Sequence, residues 1–154
     1  MVKEYYTYRF DRIFGMPLKP SDGVGDEVVR AGLATLGFSI PAALFDYYSV
    51  AGNHYINRDH NILRSLAELE WFGNMLVFME ENQTVAYWGV KQEDCALSDP
   101  IVWQGQTINP IEWELEDGAM EWYAEDYRMS QFLMAMWNWT LTGEPEQPAS
   151  NDLQ

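Results

Sequence analysis

The stretch that most constrains the fold runs from Asn74 to Val90 and reads NMLVFMEENQTVAYWGV. In a strand, successive side chains point to opposite faces, so Leu76 and Phe78 share one face while methionine and valine residues occupy the other. After a polar break at 80–84 the apolar alternation resumes and continues to Val90. A strand pair that is apolar on both faces must be covered on both. We therefore predict a hairpin in the middle of a sheet, with helices or other layers packed around it.

The length of the chain indicates one domain. A chain of 154 residues buries about 70% of the surface that its unfolded form exposes. Aromatic residues make up 15% of the sequence, which also holds eight methionines, so a large core is available. We predict a single domain over residues 1–143. The polar, proline-containing segment 144–154 is predicted to be a flexible tail.

Cysteine content and the N-terminal sequence predict the compartment. The only cysteine is Cys95, which excludes an intramolecular disulfide. The first fifteen residues lack the apolar run of a signal peptide. No apolar run approaches the roughly 20 residues that span a bilayer. The sequence therefore predicts a cytoplasmic protein without membrane association.

Charge is distributed very unevenly. The formal net charge is −15, yet residues 1–77 hold nine acids and seven bases, whereas residues 78–154 hold fifteen acids and two bases. Between Lys91 and Arg128 there is no basic residue. The negative electrostatic field of this acidic half repels nucleic acid and anionic lipid, and it attracts a basic partner. The alternative is that the acidity serves solubility alone.

Apolar spacing predicts the helices. A helix follows Ser21 and Asp22, which are predicted to cap it, and it stops at Gly37. A second helix begins at Pro41 and ends at Gly52. The first twenty residues predict a short strand or helix followed by an irregular link, because Pro17 and Pro20 interrupt them. A last helix is predicted over 131–142, with Ser130 as its N-cap, Gly143 as its stop, and Leu133, Met134, Trp137 and Leu141 on its apolar face.

The acidic half of the chain contains the most unusual strand pattern. Residues 99–103 predict a third strand and residues 105–110 a turn region. In the segment 111–116, IEWELE, apolar and acidic residues alternate strictly, which predicts a strand with one dry and one acidic face. Asp117-Gly118 is a hairpin signal, after which 121–124 pairs back. Such an acidic face is either a solvated edge that prevents aggregation or a docking surface.

A search for catalytic patterns finds none that is specific. Cys95 has no evident histidine partner, and no serine lies in a Gly-x-Ser-x-Gly elbow. His54, His60 and Asp59 share one loop and together offer three groups that could hold a metal ion, but their spacing matches no metal motif, and a polar loop is the favoured interpretation. We predict no catalytic residue, no cofactor and no metal.

The order of elements resembles a known superfamily. The features are the Ile40-Pro41-x-x-Leu44-x-x-x-Tyr48 helix ending at Gly52, the strand pair carrying Glu81-Asn82-Gln83 and Trp88-Gly89-Val90, the Asp99-Pro100-Ile101-Val102 strand, and the Ser130-x-Phe132-Leu133 helix. Together, over about residues 33 to 142, they resemble the SUKH superfamily. That superfamily includes the yeast cell-wall-synthesis regulator of the Smi/Knr type and many bacterial immunity proteins.

The resemblance implies both a fold and a role. It implies an α+β domain, with N-terminal helices, a central, largely antiparallel sheet of about six strands, and a C-terminal helix packed on that sheet. It also implies a non-enzymatic function. Bacterial members of the superfamily typically bind and neutralise a toxin, commonly a nuclease delivered between competing cells.

The charge pattern suggests where such a partner binds. A nuclease presents a basic groove to its substrate, so its inhibitor gains association rate and specificity from an acidic face. The candidate partner-binding residues are Glu112, Trp113, Glu114, Glu116, Asp117, Glu121 and Trp122. The tryptophans are included because aromatic side chains commonly anchor interfaces. The oligomeric state is left open between a monomer and a weak dimer.

Two alternatives belong to other functional classes. One is an intracellular regulatory scaffold with several endogenous protein partners. The other is an unrecognised hydrolase, which would require a pocket lined by converging carboxylates or by the two histidines.

Overall fold

The computed structural model of the chain describes residues 2–107 and 120–145. The helices in these ranges are α1 (Val2–Phe14), α2 (Asp26–Leu36), α3 (Ala42–Ala51) and α4 (Met129–Thr142). The strands are β1 (Ile62–Leu63), β2 (Glu70–Phe72), β3 (Met75–Glu80), β4 (Ala86–Lys91), β5 (Ile101–Thr107) and β6 (Met120–Arg128).

The strands form one antiparallel sheet in the order β1-β3-β4-β5-β6, and β2 also pairs with β3. Three helices precede the sheet and one follows it. The predicted α+β class, with about six largely antiparallel strands, N-terminal helices and a C-terminal helix, is confirmed.

The β3–β4 hairpin is central, as its sequence predicts. Every residue in the ranges 75–79 and 86–90 is buried. One face, including Leu76, Phe78 and Trp88, belongs to the main core that contains the helices. Residues of the other face form a smaller cluster of Val77, Tyr87 and Met120, with Phe72 and Trp122 packed against it. The apolar character of both faces is thus explained by burial on both sides of the sheet.

The helical segments are present, but their beginnings differ from the predictions. The N-terminal residues form a 13-residue helix that buries Tyr6 and Phe10. Ser21 and Asp22 do not cap α2, because that helix begins at Asp26, after Gly25. Asp22 instead accepts a hydrogen bond from the Lys19 backbone N–H at 2.7 Å. The stop at Gly37 is confirmed, with that glycine in the left-handed conformation.

The last helix is capped by a distant residue. The sequence predicts Ser130 as the N-cap, but α4 begins at Met129, so Ser130 lies inside its first turn. The Ser130 N–H donates to Asp99 Oδ1 at 2.9 Å, and the Ser130 hydroxyl donates to Asp99 Oδ2 at 2.6 Å. Since an N-cap supplies an acceptor to these first N–H groups, Asp99 performs that role from the segment just before β5.

Two further expectations about the second half need correction. The predicted turn at 105–110 is wrong for residues 105–107, because β5 continues to Thr107 and pairs with both β4 and β6. Leu141 is exposed, although Leu133, Met134 and Trp137 are fully buried as predicted. The predicted strand at 111–116, its Asp117-Gly118 hairpin signal and residues 146–154 of the predicted tail lie outside the described residues. Among the helices of the described ranges, none has the length and apolarity to cross a bilayer.

A buried chain of hydrogen bonds connects α4, α3 and the turn at Tyr55–Arg58. The Trp137 indole N–H donates to the Tyr47 hydroxyl at 2.8 Å, and that hydroxyl donates to Asn57 Oδ1 at 2.6 Å. The Asn57 amide then donates to the Ala51 carbonyl at 2.7 Å. All of these groups are buried. If one hydrogen bond of the series were removed, the polar groups it joins would be left without a partner and without access to water.

Replacing Tyr47 with phenylalanine is therefore expected to destabilise the protein by about 2 kcal/mol, because it leaves the Trp137 N–H and Asn57 Oδ1 buried without their partner. Equilibrium urea unfolding measures the loss. The matched control is Tyr55→Phe, since Tyr55 is exposed and should change the free energy of unfolding by less than about 0.5 kcal/mol. Equal effects of the two substitutions would contradict the proposed importance of the buried chain.

Candidate binding groove

The predicted partner-binding residues fall into two groups. Glu112, Trp113, Glu114, Glu116 and Asp117 lie outside the described residues. Glu121 and Trp122 lie on β6, where neighbouring side chains point to opposite faces of the sheet. The described part of the chain therefore does not bring these two side chains into one surface patch.

Trp122 packs on the sheet face that carries the smaller apolar cluster. It is partly buried and contacts the cluster of Val77, Tyr87 and Met120. Gly105 on the adjacent strand makes room for it, since a Cβ there would lie 2.7 Å from the Trp122 ring. Trp122 is thus a packing residue in the structure.

Glu121 lies on the helix-bearing face of the sheet. It pairs in register with Gln106, which pairs in turn with Ala86. Next along this face is Tyr123, whose hydroxyl donates to the Glu121 carboxylate. Glu121 is exposed, so it contributes negative charge to the solvent side of this face.

A groove of about 470 Å³ opens on the same face, between the sheet and α4. We call it the α4 groove and define it by Asn61, Trp88, Glu125, Phe132, Met136 and Trp139. The α4 residues recur at i, i+4 and i+7, so they form one side of the helix. Strands β4 and β6 supply Trp88 and Glu125. The groove combines aromatic rings with carboxylate and amide groups.

Glu125 is a half-buried acid of the groove. Its Oε1 accepts a hydrogen bond from the Trp88 indole N–H at 3.2 Å. Burial raises the pKa of Glu125, and the nearby charge of Asp126 raises it further, while the Trp88 bond opposes the shift. Within the described residues, no basic side chain forms a salt bridge with Glu125. The carboxyl group is therefore held where its charge is poorly compensated.

Asn61 supplies a second uncompensated group. Its side chain is 4% exposed, and its Oδ1 is buried without a hydrogen-bond donor. Its amide nitrogen makes a weak contact with the Met136 sulfur at 3.2 Å. An unsatisfied buried acceptor costs about 1–3 kcal/mol. The groove thus contains an acceptor that an added donor would satisfy.

Aromatic rings form the walls of the groove. Trp88, on β4, forms the wall on the side of the sheet and packs against Phe132, with ring centroids 5.9 Å apart. Trp139 is 42% exposed and lies 5.7 Å from the His60 ring. Large exposed aromatic side chains beside a concavity are typical of binding sites.

The loop histidines do not come together in a metal site. His54 packs against Phe10 and Phe14, and its Nδ1 accepts a hydrogen bond from the Ile56 backbone N–H at 3.2 Å. His60 instead borders the groove. Burial lowers the pKa of His54. In the described ranges there is no group of three histidine, cysteine, aspartate or glutamate residues that would hold a metal ion.

Cys95 is a buried thiol. Burial raises its pKa to about 11, and the adjacent Asp94 adds to the shift. Its sulfur lies 3.6 Å from the Lys91 carbonyl oxygen. Because the thiolate is the nucleophilic form, this environment suppresses nucleophilic chemistry at neutral pH.

Comparison of the chain with protein-family models, curated proteins and solved structures finds no match. The function is therefore inferred from the residues themselves.

Replacing Glu125 with glutamine is expected to stabilise the protein at pH 7 relative to pH 4. The raised pKa means that the folded state binds more protons than the unfolded state between the two pKa values. The free energy of unfolding of the native protein therefore falls as pH rises from the ordinary carboxyl pKa through the folded value, and this loss persists above it. Glutamine keeps an acceptor for Trp88 and removes the titration.

Urea unfolding at pH 4 and pH 7 measures this difference. Glu27→Gln is the control, because it makes the same substitution at an exposed position on α2. A glutamine variant whose advantage is no larger at pH 7 than at pH 4 would contradict the effect of burial on Glu125.

Proposed function

We propose that this protein is a non-catalytic binding protein that sequesters a basic protein partner, in the manner of an immunity protein neutralising a nuclease-type toxin. The observation that supports it most directly is the concentration of unopposed acids in the second half of the chain. The resemblance of the element order to the SUKH superfamily supports the same role.

Both bases of the second half are already engaged. Lys91 lies 4.3 Å above the Trp103 ring and 4.0 Å from Glu93. Arg128 donates to the Asp99 carbonyl at 3.2 Å. Glu121 and Asp126 are exposed, and no described basic side chain forms a salt bridge with either. Their charges therefore remain available to a partner.

A nuclease suits this field, because its substrate groove must be positive to bind phosphates. Complementary charges raise the rate of encounter and orient the partner before close contact. At about 0.1 M salt the Debye length is about 10 Å, so exposed charges contribute much less as the salt concentration rises. Strong salt dependence of the association rate is thus expected of this mode of binding.

The test first searches the adjacent genes for one that encodes a basic toxin domain, and then measures binding of that domain to this protein and to the triple variant Glu112→Gln, Glu114→Gln, Glu116→Gln. Association measured by stopped-flow fluorescence at 20 mM salt is expected to slow at least about tenfold, because a steering field is weakened. The control is Asp11→Asn, Glu27→Gln, Asp59→Asn, which changes the net charge equally at exposed positions in the first half.

Equal slowing by both triple variants would assign the effect to net charge and not to the acidic half. Failure of the unaltered protein to bind the neighbouring toxin at low salt would overturn the immunity role. Capture of several housekeeping proteins without a toxin would instead favour the regulatory scaffold.

A hydrolase is the second candidate, because two carboxyl groups, Glu81 and Glu125, line the same groove. The raised pKa of Glu125 is a property expected of a general acid. A screen of chromogenic glycosides and esters tests this function. If it is correct, Glu125→Gln should reduce any hydrolysis at least about a hundredfold while Asp126→Asn does not. Absence of turnover by the unaltered protein, or turnover that survives Glu125→Gln, would reject it.

A further inference from the structure

The chemistry of the α4 groove indicates which part of a basic partner it receives. Carboxylates of Glu81 and Glu125 line the groove, and none of its described lining residues is a lysine or arginine. An anionic ligand would therefore meet uncompensated negative charge. A cationic group would find opposite charge in a partly desolvated setting, where a charge pair is less screened than on the open surface.

The aromatic walls narrow the choice among cations. Trp88 lies beside Glu125, and the exposed Trp139 lies on the opposite wall, on α4. A cation within about 6 Å of such a ring gains a cation–π interaction, and a planar guanidinium also stacks on the ring. An ammonium lacks that flat face. The walls therefore favour arginine over lysine.

The hydrogen-bond acceptors favour the same group. One Glu125 oxygen is occupied by the Trp88 N–H, and among the described residues none donates to the other. Asn61 Oδ1 is buried and unsatisfied, and the flexible Met136 side chain contacts the same amide. A guanidinium carries five N–H donors in a fixed plane, so it can serve acceptors on different elements at once. Displacement of Met136 would give such a donor access to Asn61.

We propose that the α4 groove is a recognition pocket for an arginine side chain, with Glu125 and Asn61 accepting hydrogen bonds from the guanidinium and Trp88 and Trp139 packing against it. This inference rests on the proposed function in one respect, since the arginine is taken to belong to the basic partner. The pocket itself binds the guanidinium without the rest of that partner.

The experiment titrates the full chain with N-acetylargininamide, N-acetyllysinamide and N-acetylcitrullinamide. Citrulline has nearly the same shape as arginine but no charge, so it separates charge recognition from apolar filling of the groove. Two-dimensional ¹H–¹⁵N spectra follow the indole N–H signals of Trp88 and Trp139 and the side-chain amide of Asn61. The arginine probe is expected to shift all three signals and to bind at least about tenfold more tightly than the other two, since the lysine probe lacks the planar stacking group and the citrulline probe lacks the charge.

Two variants locate the binding. Glu125→Gln is expected to weaken binding of the arginine probe about tenfold, because a charged acceptor becomes neutral. Asp126→Asn removes the same charge from the neighbouring exposed residue and should leave the affinity within about twofold. Urea unfolding of each variant verifies that the fold is retained.

Several results would contradict the proposal that the groove recognises arginine. These are absence of shifts in the three groove signals at millimolar probe, equal binding of the citrulline probe, equal binding of the lysine probe, or equal weakening by Asp126→Asn. Shifts of the same signals that depend on protein concentration without any probe would mean that a second copy of the chain fills the groove.

The outcome is separable from that of the proposed function. Toxin binding that responds to the Glu112, Glu114 and Glu116 variant but leaves the groove signals unchanged would retain the immunity role and reject the pocket. Arginine-probe binding without any toxin binding would retain the pocket and reject the role.

Discussion

The buried hydroxyl of Tyr47 is the point on which the helical layer depends. It accepts from Trp137 on α4 and donates to Asn57, so it fixes the rotation of α4 about its axis. Once Trp137 faces the core, the helical period directs Phe132, Met136 and Trp139 along a neighbouring side. A polar bond deep in the core thus determines which α4 side chains reach the groove.

Placement of α4 also requires an anchor at its N-terminus. Asp99 binds both the N–H and the hydroxyl of Ser130, which connects the segment just before β5 to the first turn of the helix. The Met129 N–H donates to the Pro100 carbonyl at 2.8 Å and adds a backbone link at the same place. The sheet therefore holds α4 at its first turn, and Tyr47 holds it two turns later. Between these two points the helix has little freedom to move away from β4 and β6.

Features that depend on neighbouring residues could be predicted from the sequence, and those that depend on distant pairs could not. The alternation in β3 and β4 and the stop at Gly37 are local patterns, and the structure contains both. Serine is a residue type that favours the N-cap position, but at Ser130 the acceptor is supplied by Asp99, which lies 31 positions away. The groove is formed by β4, β6, α4 and the loop before β1. No residue spacing in the sequence predicts that these elements meet. Glu125 is one of three acids in β6, together with Glu121 and Asp126, so the sequence alone does not distinguish it as the acid of the groove.

Under the proposed function, the groove and exposed acids such as Glu121 contribute to binding over different ranges. Exposed charges such as Glu121 act at a distance but are screened by salt, so they affect the rate of encounter more than the final affinity. Glu125 and Asn61 are screened less, yet leaving them uncompensated costs folding free energy in the unbound protein. An apolar residue at either place would avoid that cost. A partner that supplies donors and positive charge would recover it on binding, so the same groups that weaken the isolated fold would slow dissociation of the complex.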